Sequence, residues 1–180
     1  RRQRQMCIRD RLGAECIELR QARDLAEPYD ALVLPGGEST VQGKLLKELG
    51  MFDIMKSQIE NGMPVLATCA GAILLAETID GQMKGQPEQY FGTIPMCIRR
   101  NAYGRQLGSF HTEAQVAGIG TVPMTFIRAP YIASVEDGVE VLAVVEERIV
   151  GVKYKNQMAF SFHPELDPDV RIHKAFLKMI

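Results

Sequence analysis

PVLATCAGAILLA, Pro64 to Ala76, is the stretch whose reading decides the fold. Val65-Leu66-Ala67 is a short apolar run, as in a strand covered on both faces. Thr68-Cys69-Ala70 reads as a sharp turn, and a helix opens at Gly71. A strand that passes straight into a helix projects the corner side chain from the end of the sheet. The following amides and the helix N-terminus lie beside that side chain. Both favour a thiolate and any oxyanion formed next to it. Ala67, Ala70 and Gly71 are small enough for the corner to pack tightly. Cys69 is either a nucleophile or a small core residue, since free Cys is among the most buried types. The choice turns on whether the rest of the chain supplies a base, an orienting acid and an oxyanion hole.

Upstream, Asp30 to Leu34 is a second continuous apolar run, ending in Pro35-Gly36-Gly37-Glu38-Ser39-Thr40. A helix follows, with Leu45, Leu46 and Leu49 on one side and Gly50 as its stop. Met51 to Glu60 forms another, ended by Asn61-Gly62. Earlier still, Gly13 reads as a helix C-cap, and Glu15 to Leu19 alternates like a half-buried strand. Strand-loop-helix units in succession predict a doubly wound α/β sheet, with its active site off the carboxyl ends of the strands. Gly36-Gly37 and Cys69 both fall at such ends.

Downstream, the polar stretch 80–91 reads as a loop. Ile94 to Arg99, Ser109 to Ala117 and Thr125 to Arg128 read as short strands of an antiparallel excursion. Val139 to Val145, Ile149 to Tyr154 and Met158 to Phe162 alternate like hairpin strands. Asp167 is placed as the N-cap of a closing helix with Pro168 at its first position. Val170, His173, Phe176, Leu177 and Ile180 would form its buried face.

The totals bound the function. The chain has 180 residues, 46% hydrophobic and 24% charged, which suits a single globular domain over 1–180. A net charge of -1 gives no reason to expect nucleic acid or an acidic membrane as partner. Cys7, Cys16, Cys69 and Cys97 lie far apart, so neither a zinc site nor a disulfide framework is expected, and the default compartment is cytoplasmic. No signal peptide or membrane-spanning run is visible. The basic opening, residues 1–11, resembles translated adapter sequence and is read as non-native or disordered.

Phe160-Ser161-Phe162-His163-Pro164-Glu165 is the second informative stretch. A base and a carboxylate two residues apart at a strand end can point to the same side. Of the three histidines, His173 falls on a helix face and reads as structural. His111 sits in a Phe-containing strand with no nearby acid but Glu113. His163 is the best general base. Cys69, His163 and Glu165 together make a nucleophile, base and orienting acid, an arrangement defined by roles and not by chain order. Gly36-Gly37 can aim backbone N–H groups at an oxyanion. Glu38, with no turn-forming role, could bind a substrate ammonium. Arg100, in a dense polar block that runs to Gln106, could grip a carboxylate in bidentate fashion, and so could Arg128.

PGGEST, TCAG, RNAYGRQ, FIRAP and FHPEL occur in an order and spacing that resemble the class I, triad-type glutamine amidotransferases, and within them the glutaminase subunits of pyridoxal 5'-phosphate synthase. The resemblance covers about Leu12 to Ile180. It implies a flavodoxin-like three-layer α/β fold, with a mostly parallel central sheet and a small antiparallel excursion. It implies Cys69 as nucleophile with His163 and Glu165 as partners. It also implies glutamine binding by Gly36, Gly37, Glu38, Arg100, Ile127 and Arg128, and an oxyanion hole from the Gly37 and Ala70 amides. The implied reaction is hydrolysis of L-glutamine to L-glutamate and ammonia, without metal or cofactor. The ammonia would pass to a barrel-shaped synthase subunit in a hetero-oligomer. The alternatives are the glutaminase of another amidotransferase, or a catalytically impaired subunit that only binds its partner. The family's opening buried strand and its Leu-Gln-Gly-Ala turn have no counterpart here, so open sheet edges are expected. Ala67 stands where the family usually has Gly, Arg99 where an acid is common, and His111 where Glu is frequent.

Overall fold

Three short strands run side by side and in the same direction. They are β1 (Leu32–Leu34), β2 (Val65–Thr68) and β10 (Gln157–Phe160). In a computed structural model describing residues 12–80, 90–100 and 109–180, they pair with Leu34 opposite Ala67 and Ala67 opposite Ala159. Their carboxyl ends therefore finish level. Alternate residues serve the two faces: Val65, Ala67 and Ala159 enter one core cluster, while Leu66, Met158 and Phe160 enter the other. Both faces are covered, which is why these strands read as unbroken apolar runs.

The main sheet has eight strands in the order β1-β2-β10-β9-β7-β4-β3, with β8 on β9. The remaining members are β3 (Ala76–Asp80), β4 (Ile94–Arg99), β7 (Tyr131–Val135), β8 (Glu140–Val145) and β9 (Arg148–Tyr154). β3 and β4 are parallel; β7, β8 and β9 pair with their neighbours antiparallel. A separate hairpin, β5 (Ser109–Val116) with β6 (Gly120–Ile127), is the antiparallel excursion; β4, expected to belong to it, lies in the main sheet instead, parallel to β3. Helices α1 (Ser39–Glu48), α2 (Phe52–Glu60), α3 (Ala70–Leu75) and α4 (Arg171–Leu177) complete the layers. Gly50 and Gly62, at φ 67° and 99°, end α1 and α2 as expected. None of the described helices is long and apolar enough to cross a membrane.

Four local expectations are corrected. Glu15 to Leu19 is not a strand, and Ile17 is 43% exposed. Alternation is not enough without a neighbour to bond to, and no described strand pairs with the outer edge of β1. Strands β3 and β7 went unread. β3 starts directly after α3 without a Gly or Pro stop. The leucine side of α1 is largely solvent-facing, with Leu45 and Leu49 exposed; the helix buries Ser39 and Gly43 instead. Asp167 and Pro168 do not start the last helix. Pro164–Leu166 forms a 3-10 turn that Asp167 closes, and α4 begins at Arg171, whose amide donates to Asp169 at 2.9 Å. Ile172, His173 and Phe176 are its buried face, while Ile180 is exposed. The expectations for 1–11, for the loop at 81–89 and for the polar block beyond Arg100 lie outside the described residues.

Candidate active site

Because β1, β2 and β10 end level, the residues that follow them meet at one edge: Gly36-Gly37, Cys69 and His163. The Cys69 amide donates to Phe160 O at 2.8 Å, so the corner is tied to β10 before it turns. Cys69 then adopts φ 51°, ψ -107°. Such a left-handed conformation costs a residue with a Cβ on the order of 1–3 kcal/mol, and it persists only where its surroundings enforce it. Here the Ala72 and Ile73 amides both donate to the Cys69 carbonyl, at 3.1 and 3.3 Å. Gly71 completes the constraint. A Cβ there would lie 2.0 Å from Leu34 O, so only glycine lets α3 rest on the end of β1. The sharp corner expected at Cys69 is present, and it is strained.

His163 follows β10, and its amide donates to Thr125 O of the hairpin at 2.8 Å. Its imidazole and the Glu165 carboxyl are fully buried, with Nδ1 and Oε1 2.8 Å apart. Nδ1 donates to Glu165, which leaves Nε2 as the basic nitrogen. Nε2 is buried and has no hydrogen-bond partner among the described residues. The thiol bears on the ring, while Sγ points toward the Ile127 carbonyl at 3.9 Å. Burial pushes the His163 imidazole down, but Cys69 and Glu165 together outweigh it and raise its pKa to about 9. The arrangement holds a base of raised proton affinity beside a thiol on a strained corner. That is chemistry for covalent catalysis at a carbonyl.

The other expected residues ring this edge. Ala70 is the first residue of α3, where amides have no intrahelical acceptor. The Gly36-Gly37 loop is braced by Gln42, whose Nε2 donates to Pro35 O at 3.1 Å. Glu38 corrects its reading, since it has a turn-forming role after all. Its carboxylate accepts from the Thr40 and Val41 amides at 3.1 and 2.7 Å and caps α1. Burial pushes Glu38 up, yet the Val41 and Thr40 amides, the Thr40 hydroxyl and the Arg100 charge hold it below the usual carboxylate range. Arg100 Nη1 donates to Thr40 Oγ1 at 3.0 Å and to the Tyr90 hydroxyl at 3.5 Å. Arg100 therefore joins Glu38 beside the Gly-Gly loop. Arg128, exposed at φ 45°, follows Ile127 at the end of β6. Thr40 and Tyr90 escaped the sequence reading. Thr40 sits in PGGEST, which flagged it as a neighbour, but nothing marked Tyr90.

His111 also acquires a partner that spacing could not reveal. Its Nε2 lies 3.2 Å from Asp167 Oδ1, and Thr125 Oγ1 donates to Asp167 Oδ2 at 3.0 Å. Asp167 thus ties the turn carrying His163 and Glu165 to the hairpin, which is why it is not spent on a helix cap.

The model of the SNO glutamine amidotransferase family matches residues 5–180. The chain is 58% identical over 173 residues to the pyridoxal 5'-phosphate synthase subunit PdxT of Desulfitobacterium hafniense (strain Y51), covering 96% of this chain and 85% of that one. It is 50% identical over 175 residues to the protein of the same name from Streptococcus pneumoniae serotype 2, covering 96% and 89%. A crystal structure of a glutamine amidotransferase superimposes with a TM-score of 0.91 at 40% identity, covering 98% of this chain and 92% of that one.

Proposed function

The chain belongs to the SNO glutamine amidotransferase family, and from that premise we propose that it is the glutaminase subunit of a pyridoxal 5'-phosphate synthase. The observation that carries the reading is the buried His163–Glu165 pair at 2.8 Å beside a cysteine at φ 51°. In the reaction, His163, with its pKa raised to about 9, carries the proton of the Cys69 thiol on Nε2. The thiolate attacks the side-chain amide carbon of L-glutamine, and the carbonyl π pair moves onto oxygen. The Gly37 and Ala70 amides donate to that oxyanion, a contribution of about 3 kcal/mol per donor in comparable sites. The imidazolium then protonates the amide nitrogen as the C–N bond breaks, releasing ammonia and leaving a thioester. Water, deprotonated by His163, attacks the thioester, and L-glutamate leaves as the thiol is restored. Glu165 holds the imidazole in the tautomer that keeps Nε2 available.

Arg100 and Arg128 are assigned to the α-carboxylate of glutamine, and Glu38 to its ammonium alongside its capping role. Gly36, Gly37 and Ile127 contribute backbone groups. The ammonia is consumed by the other subunit of the synthase, which makes a hetero-oligomer in the cytoplasm the working form. Glutamate release, measured with and without that subunit for the wild type and Cys69→Ala, tests the reading. Partner-stimulated release is expected in the wild type, with a fall of about 10⁴-fold or more in the variant. Release that persists in Cys69→Ala removes it as nucleophile.

A further inference from the structure

Arg100 follows the last residue of β4, and a long side chain in such a place has rotamer freedom to lose before it can grip a ligand. Here it is already held. Nη1 carries two hydrogens, and its bonds go to two different segments: to Thr40 Oγ1 of α1 at 3.0 Å and to the Tyr90 hydroxyl at 3.5 Å. Four strands lie between β4 and β1, the strand that leads into α1, so the Arg100–Thr40 bond joins units that the sheet keeps apart. Thr40 holds the opposite charge as well, since its amide donates to Glu38 Oε1 at 3.1 Å. One residue thus fixes an anion through its backbone and a cation through its side chain. Tyr90 is placed by its neighbour. The Phe91 amide donates to Leu74 O at 2.7 Å, and the buried Phe91 ring stacks on Phe52 at 4.8 Å. Both bonds engage Nη1 and not the Nε–Nη2 edge, whose parallel N–H groups match a carboxylate.

We propose that Thr40 is a positioning residue for substrate recognition: its hydroxyl, with that of Tyr90, fixes the Arg100 guanidinium relative to Glu38, so that the site is formed in advance for the α-carboxylate and α-ammonium of one amino acid. The inference rests on the glutaminase reading above and its assignment of Arg100 and Glu38. A guanidinium held before the substrate arrives loses less freedom on binding, and the saving appears as affinity. That affinity depends on the α-carboxylate. An amide without this group leaves the Nε–Nη2 edge of Arg100 nothing to bind, so it gains nothing from Thr40. The amide that reacts at Cys69 is the other end of glutamine. The network therefore sets KM and not kcat.

The test measures amide hydrolysis by the chain assembled with the synthase subunit, for the wild type, Thr40→Val and Thr40→Ser. Valine keeps the shape of the side chain and the amide that holds Glu38, and it removes the hydroxyl. KM for L-glutamine is expected to rise about tenfold in Thr40→Val with kcat within about twofold, and Thr40→Ser to return to within about twofold of the wild type. With 4-aminobutanamide, which has the amide and the ammonium but no α-carboxylate, kcat/KM should be the same in all three. Tyr90→Phe, at the longer bond, should raise KM for glutamine about threefold. In an Arg100→Ala background, Thr40→Val should have no further effect, because Thr40 acts through the guanidinium. Three results overturn the proposal. One is an unchanged KM in Thr40→Val. Another is an equal loss on both amides, which a general disturbance of α1 would give. The third is a full tenfold cost that persists without Arg100, which direct contact of Thr40 with the substrate would give. Thr40 is exposed in the first turn of its helix, and Thr40→Ala serves as a second variant with the same expectation. Calorimetric binding of both amides to complexes carrying Cys69→Ala keeps the two readings apart. A wild-type complex that releases no glutamate counts against the glutaminase reading. Glutamine affinity that Thr40→Val leaves unchanged in the Cys69→Ala background counts against the role of Thr40.

Discussion

The turn carrying His163 and the helix carrying His173 each bury an imidazole, and the two rings respond in opposite directions. Burial works against the charged form in both. At His163 the thiol of Cys69 and the carboxylate of Glu165 overcome it, and the pKa rises to about 9. At His173 the same carboxylate acts alone, burial wins, and the pKa falls. One acid thus bears on a histidine that keeps its proton and on a histidine that sheds it. Burial does not decide what a histidine does; the number and quality of its partners does.

The change that breaks this comparison most severely is Glu165→Gln. It keeps the size of the side chain and removes the charge that bears on both rings. Glutamate release is expected to fall about 10³–10⁴-fold, because the amide no longer enforces the useful tautomer of His163. Both histidines should shift downward in an NMR titration: His163 keeps only the contribution of Cys69, and His173 loses the one pull that opposed its burial. If His163 still titrated near 9 in this variant, the thiol alone would be the cause of the shift.

A second way to sharpen the contrast is the pH dependence of stability in the wild type. An unfolded histidine gives up its proton near about 6.5. Between that value and about 9 the native His163 holds a proton that the unfolded chain does not. Its stabilising contribution is therefore complete below about pH 6.5 and lost as the pH rises through 9. His173 acts in reverse. Below about 6.5 the unfolded chain gains a proton that the buried native ring resists, so stability falls as the pH drops. Urea midpoints from pH 5 to 9.5 should trace a dome between these limits. His173→Leu should flatten its acid side and Glu165→Gln its alkaline side. A dome unaltered by either substitution would mean that other groups carry it.

The two regions also differ in how far the sequence announces them. The Cys69 corner was legible because its causes are local. A buried run, a small-residue turn and a helix start are adjacent in the chain, and Gly71 marks where α3 touches Leu34 O. His163 and Glu165 were legible because they share one turn. The closing helix was misread because Asp167, a good cap by type, is taken by Thr125 and His111 from a hairpin far away in sequence. Glu38 was misread for the opposite reason: it was reserved for substrate while the nearest amides, Thr40 and Val41, already claimed it. His173 read as structural since periodicity sees only that a position is buried. It cannot see that both ring nitrogens land buried and without a hydrogen-bond partner among the described residues.

His111 supplies the smallest expected effect and the control for the other two. Its side chain is 54% exposed, and its link to Asp167 Oδ1 at 3.2 Å lies at the surface. A pair whose imidazole is this exposed contributes about 0–1 kcal/mol, because water already solvates the ring well. Asp167 would also keep its bond from Thr125 Oγ1 after the ring is removed. His111→Ala should therefore change unfolding free energy by about 0.5 kcal/mol or less and leave kcat within about twofold. A larger loss of kcat with unchanged stability would show that the Asp167 tie transmits strain to the turn holding His163. The hairpin would then be an active part of the site's geometry, and the contrast between the two buried histidines would have to include the third.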